Sequence, residues 1–277
     1  MVETAVAPSG LGAAVPYGRA GLPGWLLSTL GVACAMTVWQ IAAMLTSKLF
    51  LASPLDVLRV VPTVLAEGLL GESYLRTMLL FLSAFLVSAV TGVAVGLGTS
   101  LNKRANLIAE PLLIMFYATP SIVMIPLFVL WFGIGDLPKA ALVFLATFFP
   151  IVINTQLGIR EMGPEMRELG RAFGATVREQ VVKILIPATI PHLATAVRVA
   201  MPRAFVAQLL GEMLISVGGM GSLLVTYSRV FRTDAYFLAV LVIVFTSMAL
   251  SWATRRLEVT MTPWRAGRAE TLVVDGK

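Results

Sequence analysis

The chain has 277 residues, 58% of them hydrophobic and only 13% charged, with a mean hydropathy of +0.88 and a net charge of +6. That composition excludes an ordinary soluble domain and points to an all-α, polytopic membrane protein. A single cysteine, Cys34, and a single histidine, His192, exclude an intrachain disulfide and any metal site built on several such residues.

Residues 1–24 are rich in Gly, Ala and Pro, with Arg19 the only positive side chain. They read as a flexible cytoplasmic tail rather than a signal peptide, which needs positive charge ahead of its apolar core. Trp25 to Ser47 is uncharged and long enough for a first span, since about 20 apolar residues cross a bilayer. Between Lys48 and Tyr74, the spacing of Leu55, Leu58, Val61 and Leu65 predicts an interfacial helix. Thr77 to Leu101 is a second span, and its Gly92-x-x-x-Gly96 spacing lets helices approach closely. Pro111 to Gly135 follows as a third span interrupted by Pro120 and Pro126. Kinked helices need neighbours or a water-filled cavity to satisfy the freed backbone groups. Pro120 and Pro126 are therefore candidates for a translocation path, with ordinary kinked packing the alternative.

The turn at Gly133-Ile134-Gly135-Asp136 leads into a fourth span, Ala140 to Ile159. A fifth, roughly Pro191 to Ser216, carries Arg198, Arg203 and Glu212, with Pro202 as a kink. The two arginines are placed to snorkel toward cytoplasmic headgroups. Glu212 lies farther in and is a candidate for the path or for helix–helix contact, against an interfacial role. Ala235 to Thr254 is the sixth span. The transmembrane domain is thus residues 25–257, followed by a cytoplasmic tail, 258–277.

Six spans put both termini on one side. Of the 21 Lys and Arg, thirteen fall on the side holding the termini and the loop after the fourth span, and six on the other; Arg198 and Arg203 are within the fifth span. The positive-inside rule therefore assigns that loop to the cytosol.

The loop itself, Gly163 to Pro187, is the longest polar interruption in the chain. Pro164 suits a first helical position, Glu165 and Glu168 suit the positive end of a helix, and Gly174 is a natural stop. Thr176 and Glu179 form a T-x-x-E capping box for a second short helix. Met166, Leu169 and Phe173 share one face of the first helix, and Val177, Val181 and Ile184 or Leu185 one face of the second. An amphipathic helix-turn-helix between spans is suited to docking into a groove on a soluble partner.

Glu168, Gly174, Ile184 and Pro187 also stand at the spacing E-A-A-x-x-x-G-x(9)-I-x-L-P, which resembles the coupling loop of ABC importer permeases. Leu169 and Gly170 replace the two alanines, and Ile186 replaces the leucine; small or aliphatic replacements keep the helix. The resemblance implies that Glu168, Leu169, Gly170, Phe173, Gly174, Ala175, Ile184 and Pro187 couple to a separate ATPase. Gly211-Glu212-Met213, then Ser216 to Gly221, and the tail Arg255-Arg256-Leu257-Glu258 with Pro263-Trp264, are similar to the nitrate/sulfonate/taurine branch, which includes carriers of thiamine-precursor pyrimidines. Membership implies a bacterial inner-membrane permease, a second copy of the chain, two ATPase subunits and a periplasmic or extracellular solute-binding protein.

No G-x-x-x-x-G-K-[ST] occurs, so the chain carries no P-loop of its own. It is read as a non-enzymatic subunit with no cofactor, no metal and no catalytic residue. No basic stripe interleaved with aromatics suggests nucleic acid. The rival reading is a self-contained carrier or channel, which would need coupling-ion ligands or a charged filter within the spans; only Glu212 is available for that.

Overall fold

The computed structural model describes residues 24–161, 168, 170, 172–215 and 217–262, which among themselves contain helices and connections and no strand. In chain order these are α1 (Gly24–Leu45), α2 (Pro54–Glu67), α3 (Leu69–Leu101), α4 (Lys103–Ala118) and α5 (Ile125–Phe132). Then follow α6 (Asp136–Glu161), the short α7 (Val177–Gln180), α8 (Ile186–Ile215), α9 (Met220–Arg229) and α10 (Thr233–Met261). Among the described residues five helical stretches are long and apolar enough to cross a bilayer, and the bent pair α4–α5 makes a sixth if counted as one span.

α6 is the centre of the bundle, packed along α3 on one side and α8 on the other. Its most apolar stretch is 61% buried, against 6% for α1, so α1 is peripheral and its apolar surface faces outward. The contact of α3 with α6 depends on small residues. A Cβ on Gly92 would stand 3.1 Å from Ile151 Cγ2, and one on Gly96 would stand 2.6 Å from Thr155 Cβ. The close approach predicted from that spacing is therefore present. The Ser88 hydroxyl donates across the same contact to the Phe144 carbonyl at 2.9 Å, and Gln156 Nε2 donates to Thr99 Oγ1 at 2.8 Å. Phe81, Phe85, Val143, Ala200, Ala204 and Phe205 form the core where α3, α6 and α8 meet.

One expectation changes. The third span is not one kinked helix from Pro111 to Gly135. α4 begins at Lys103, capped by Asn102 Oδ1, which accepts from the N–H groups of Arg104 and Ala105. It stops at Ala118, and a 3₁₀ turn (Ser121–Met124) leads into α5, bent by 90° from α4. The cause is local: the residue before a proline is pushed out of the helical region, and Thr119 is extended at ψ 125° before Pro120. Pro126 falls in the first turn of α5, where its missing N–H leaves no helical bond unmade.

The helix expected between Lys48 and Tyr74 is α2; Leu55, Leu58 and Leu65 of its apolar stripe are exposed, while Val57 and Val64 are buried against the chain. Beside a bilayer the larger apolar residues are free to face lipid.

Helix continues from Arg178 through Ile215, which at 1.5 Å per residue is about 57 Å, against a hydrocarbon core of about 30 Å. The run is therefore longer than a single crossing requires, and the loop precedes it directly. Residues 1–23 and 263–277, and most of the first loop helix, including Pro164, Glu165, Met166 and Leu169, lie outside the described residues.

Candidate functional site

Three places hold the residues singled out above: the loop before α8, the far end of α8, and a cavity beside the α4–α5 break.

At the loop, Glu168 and Gly170 are helical, and a Cβ on Gly170 would stand 3.0 Å from Ile184 Cδ1. The two arms of the loop thus touch at Gly170 and Ile184. Gly174 has φ +73°, the left-handed geometry that costs other residues about 1–2 kcal/mol. The turn it makes lets the Ala175 N–H donate back to the Gly170 carbonyl at 3.0 Å. The expected capping box is complete. The Thr176 N–H donates to Glu179 Oε2 at 3.0 Å, and the Glu179 N–H donates to Thr176 Oγ1 at 3.3 Å. Lys183 pairs with Glu179 at 3.0 Å one turn on.

Val181–Leu185 is a π turn, with the Ile186 N–H donating to the Val181 carbonyl. Pro187, exposed, follows directly; it has no N–H for the Lys183 carbonyl, and a widened turn is one way to redistribute the bonds. Phe173 is 82% exposed beside the Gly174 bend.

This end of the bundle is tied by ion pairs. Arg160 of α6 makes two bonds to Glu110 of α4, at 2.9 and 2.6 Å. His192 Nε2 stands 3.3 Å from Glu161 and packs its ring against Gly158. Arg198 pairs with Glu258 of α10 at 2.7 Å.

At the far end of α8, Glu212 is 1% exposed. Its carboxylate accepts from the Thr77 hydroxyl of α3 at 2.9 and 3.0 Å, from Gln208 Nε2 at 2.8 Å and from the Gly221 N–H at 2.9 Å. Thr77 in turn accepts from the Met220 N–H at 2.8 Å. A carboxylate offers acceptors only, and here every neighbour is a donor. Gly218 and Gly219 carry φ +65° and +93°, and a Cβ on Gly219 would collide with the Glu212 carboxylate. The Gly-rich turn is thus wrapped around this carboxylate. Lys139, also buried, donates to the Val217 carbonyl at 2.6 Å and pairs with Asp136 at 2.7 Å, and Arg76 reaches the same Asp136 at 3.2 Å. Of the residues named for a path, Glu212 faces into the chain and clamps α3, α8 and the start of α9.

Pro120 and Pro126 border a different feature. A cavity of about 620 Å³ lies beside the α4–α5 break, walled by Phe116, Tyr117, Phe128 and Trp131 on one side and by Pro150, Pro202 and Arg203 on the other. Neither Pro120 nor Pro126 lines it directly; they produce the bend that opens it. Arg203 Nη1 donates to the Tyr117 hydroxyl at 2.9 Å. Sequence reasoning did not bring these two residues together, and the signal available was a mid-span arginine with no acid one turn away. Among the described residues no group of three or more His, Cys, Asp or Glu converges to hold a metal.

Comparison with known proteins gives this arrangement its family. The model of the binding-protein-dependent transport system inner membrane component matches residues 84–262. The chain belongs to this family. A formylaminopyrimidine transport permease of Halalkalibacterium halodurans is 30% identical over 239 residues, covering 86% of this chain and 95% of the relative. A putative aliphatic sulfonates permease of Bacillus subtilis is 26% identical, covering 87% and 88%, and the taurine permease of Escherichia coli is 24% identical, covering 86% and 89%. An inward-facing structure of the MetNI methionine ABC transporter matches with a TM-score of 0.62 at 19% identity, over 71% of this chain and 98% of that one, which supports the fold. The chain is thus a multi-span inner-membrane permease subunit of a binding-protein-dependent transport system, similar to permeases named for formylaminopyrimidine, aliphatic sulfonates and taurine.

Proposed function

We propose that this permease forms the translocation path for a small sulfonate-, taurine- or nitrate-like solute or a thiamine-precursor pyrimidine, and couples it to a separate ATPase through Glu168–Pro187. Two copies line one path, each presents its loop to one ATPase subunit in the cytosol, and both termini lie on that side. Closure of the ATPase pair moves the two loops and switches access between the faces, a rigid-body two-state change.

The observation that supports the coupling role is the loop. It stands beyond the apolar part of a 38-residue helical run, its bend rests on the positive φ of Gly174, and Phe173 presents an uncovered ring at the tip. An exposed aromatic beside a rigid turn fits a pocket on a soluble partner. The test is reconstitution with the cognate ATPase and binding protein in proteoliposomes. ATP-dependent uptake, abolished by Phe173→Asp together with loss of ATPase binding, is expected. Full ATPase binding and uptake in that variant would overturn the assignment of the loop. Uptake by the chain alone, driven by an ion gradient, would instead favour the self-contained carrier.

A further inference from the structure

Arg203 has a placement that coupling and folding do not explain. It sits about 12 residues, or about 18 Å, from Pro191 at one end of the apolar part of α8, and about as far from Ile215 at the other. That is too deep for its head to reach either interface without crossing much of the hydrocarbon. Charged groups at this depth are costly and mark cavities or solute pathways. Arg198 and Lys139, the other cations near α8, are each bonded to an acid. Arg203 has no acidic partner among the described residues, and its one bond is to a neutral phenol.

Its surroundings supply the rest. Arg203 lines the 620 Å³ cavity and is the one charged residue there among the described residues; it also borders a smaller adjoining cavity with Ser121. A guanidinium has five N–H donors, of which Tyr117 takes one. Because the Tyr117 oxygen accepts that bond, its own proton remains to donate. Beside these donors stand the rings of Phe116, Phe128 and Trp131. Unused cationic donors at one edge and an aromatic wall at the other complement an organic anion with an apolar body. A bare inorganic anion would leave the wall uncovered, and a neutral solute would leave the guanidinium uncompensated.

We propose that Arg203, positioned by Tyr117, is a charge-selecting residue within the membrane, so that the permease itself favours organic monoanions with an apolar body over neutral solutes of the same shape. This builds on the importer reading and narrows its solute class, placing discrimination in this chain as well as in the binding protein.

The test uses the full chain in lipid nanodiscs, with 2-naphthalenesulfonate and its neutral isostere 2-naphthalenesulfonamide as probes, measured by equilibrium dialysis. Charge-assisted bonds to one guanidinium predict about tenfold or greater preference for the sulfonate. Arg203→Gln should abolish the preference while leaving sulfonamide affinity unchanged, and Arg203→Lys should keep part of it. Should Arg203→Gln lose both probes through misfolding, the ratio in Arg203→Lys and in Tyr117→Phe decides, with a preference retained in the first and reduced in the second. Equal affinity of the two probes in the unaltered chain, failure of both to bind, or an undiminished preference in Arg203→Gln would overturn the proposal. So would competition by anionic lipid in the nanodisc, which would assign the arginine to a headgroup. Because no ATPase is present, these outcomes are independent of whether the loop couples.

Discussion

The carboxylate of Glu212 is the most densely hydrogen-bonded side chain among the described residues, and its removal separates two accounts of it. In Glu212→Gln one carboxylate oxygen becomes an NH₂ group. Whichever way the amide turns, it faces at least one of the donors from Gly221, Gln208 and Thr77. One buried donor then loses its acceptor, which costs about 1–3 kcal/mol. Taking about 2–4 °C per kcal/mol for a chain of this size, the midpoint of thermal unfolding should fall by roughly 2–12 °C. Thr77→Val removes both the donor to Glu212 and the acceptor of the Met220 N–H, so it acts on the same network. The double variant should therefore be less destabilised than the sum, with a coupling of about 0.5–3 kcal/mol.

The assay is unfolding of the purified chain in nanodiscs, followed by tryptophan fluorescence, for the two single variants and the double. Uptake by the reconstituted complex is recorded beside it. A carboxylate that served only the path would leave the unfolding midpoint alone and change uptake. An unchanged midpoint in Glu212→Gln, or strictly additive effects of the two substitutions, would refute the clamp.

Other positions give separable outcomes. Gly174→Val places a β-branched residue at φ +73°, where nothing crowds a Cβ, so the cost is backbone strain of about 1–2 kcal/mol; solute-stimulated ATPase activity of the complex should fall while insertion is unaffected, and normal stimulation would contradict the docking role of the bend. Gly96→Val drives a side chain into Thr155 across the α3–α6 contact and should cost about 1–3 kcal/mol in unfolding measurements, whereas Gly31→Ala on α1, with open space around it, should be close to neutral. Equal effects of those two would show that α3 and α6 do not pack as described. The purified chain should neither bind nor hydrolyse ATP, since it has no phosphate loop; turnover above a contaminant control would count against that.

The parts legible in the sequence are those governed by local chemistry. The spans α3, α6 and α10 follow from apolar length, the turn at Gly174 from the need for positive φ, and the Thr176–Glu179 box from its spacing. One feature escaped because its cause is tertiary. Pro120 and Pro126 were visible as interruptions, but a kink and a 90° break use the same residues, and the choice lies in what packs around them. On α2 the apolar stripe of Leu55, Leu58 and Leu65 was legible from its spacing and is exposed. Partners separated by many residues were equally hidden. Thr77 lies 135 positions from Glu212 and Tyr117 lies 86 from Arg203.

The two charges of α8 show how far periodicity alone can go. Nine residues separate Arg203 from Glu212, which at about 100° per residue places them on opposite faces of the helix, about 13.5 Å apart along it. They could never have paired, so each had to find its own surroundings. Glu212 turns inward and meets only donors, which makes it the centre of a fixed joint between α3, α8 and α9. Arg203 turns to the cavity at the α4–α5 break and keeps most of its donors free. On the proposal made above, one face of this helix is anchored through Glu212 while the other offers the Arg203 donors to the solute. Glu212, a candidate for the path or for helix–helix contact, is in this conformation fully occupied by the chain's own donors, while Arg203 is the charge that borders the cavity.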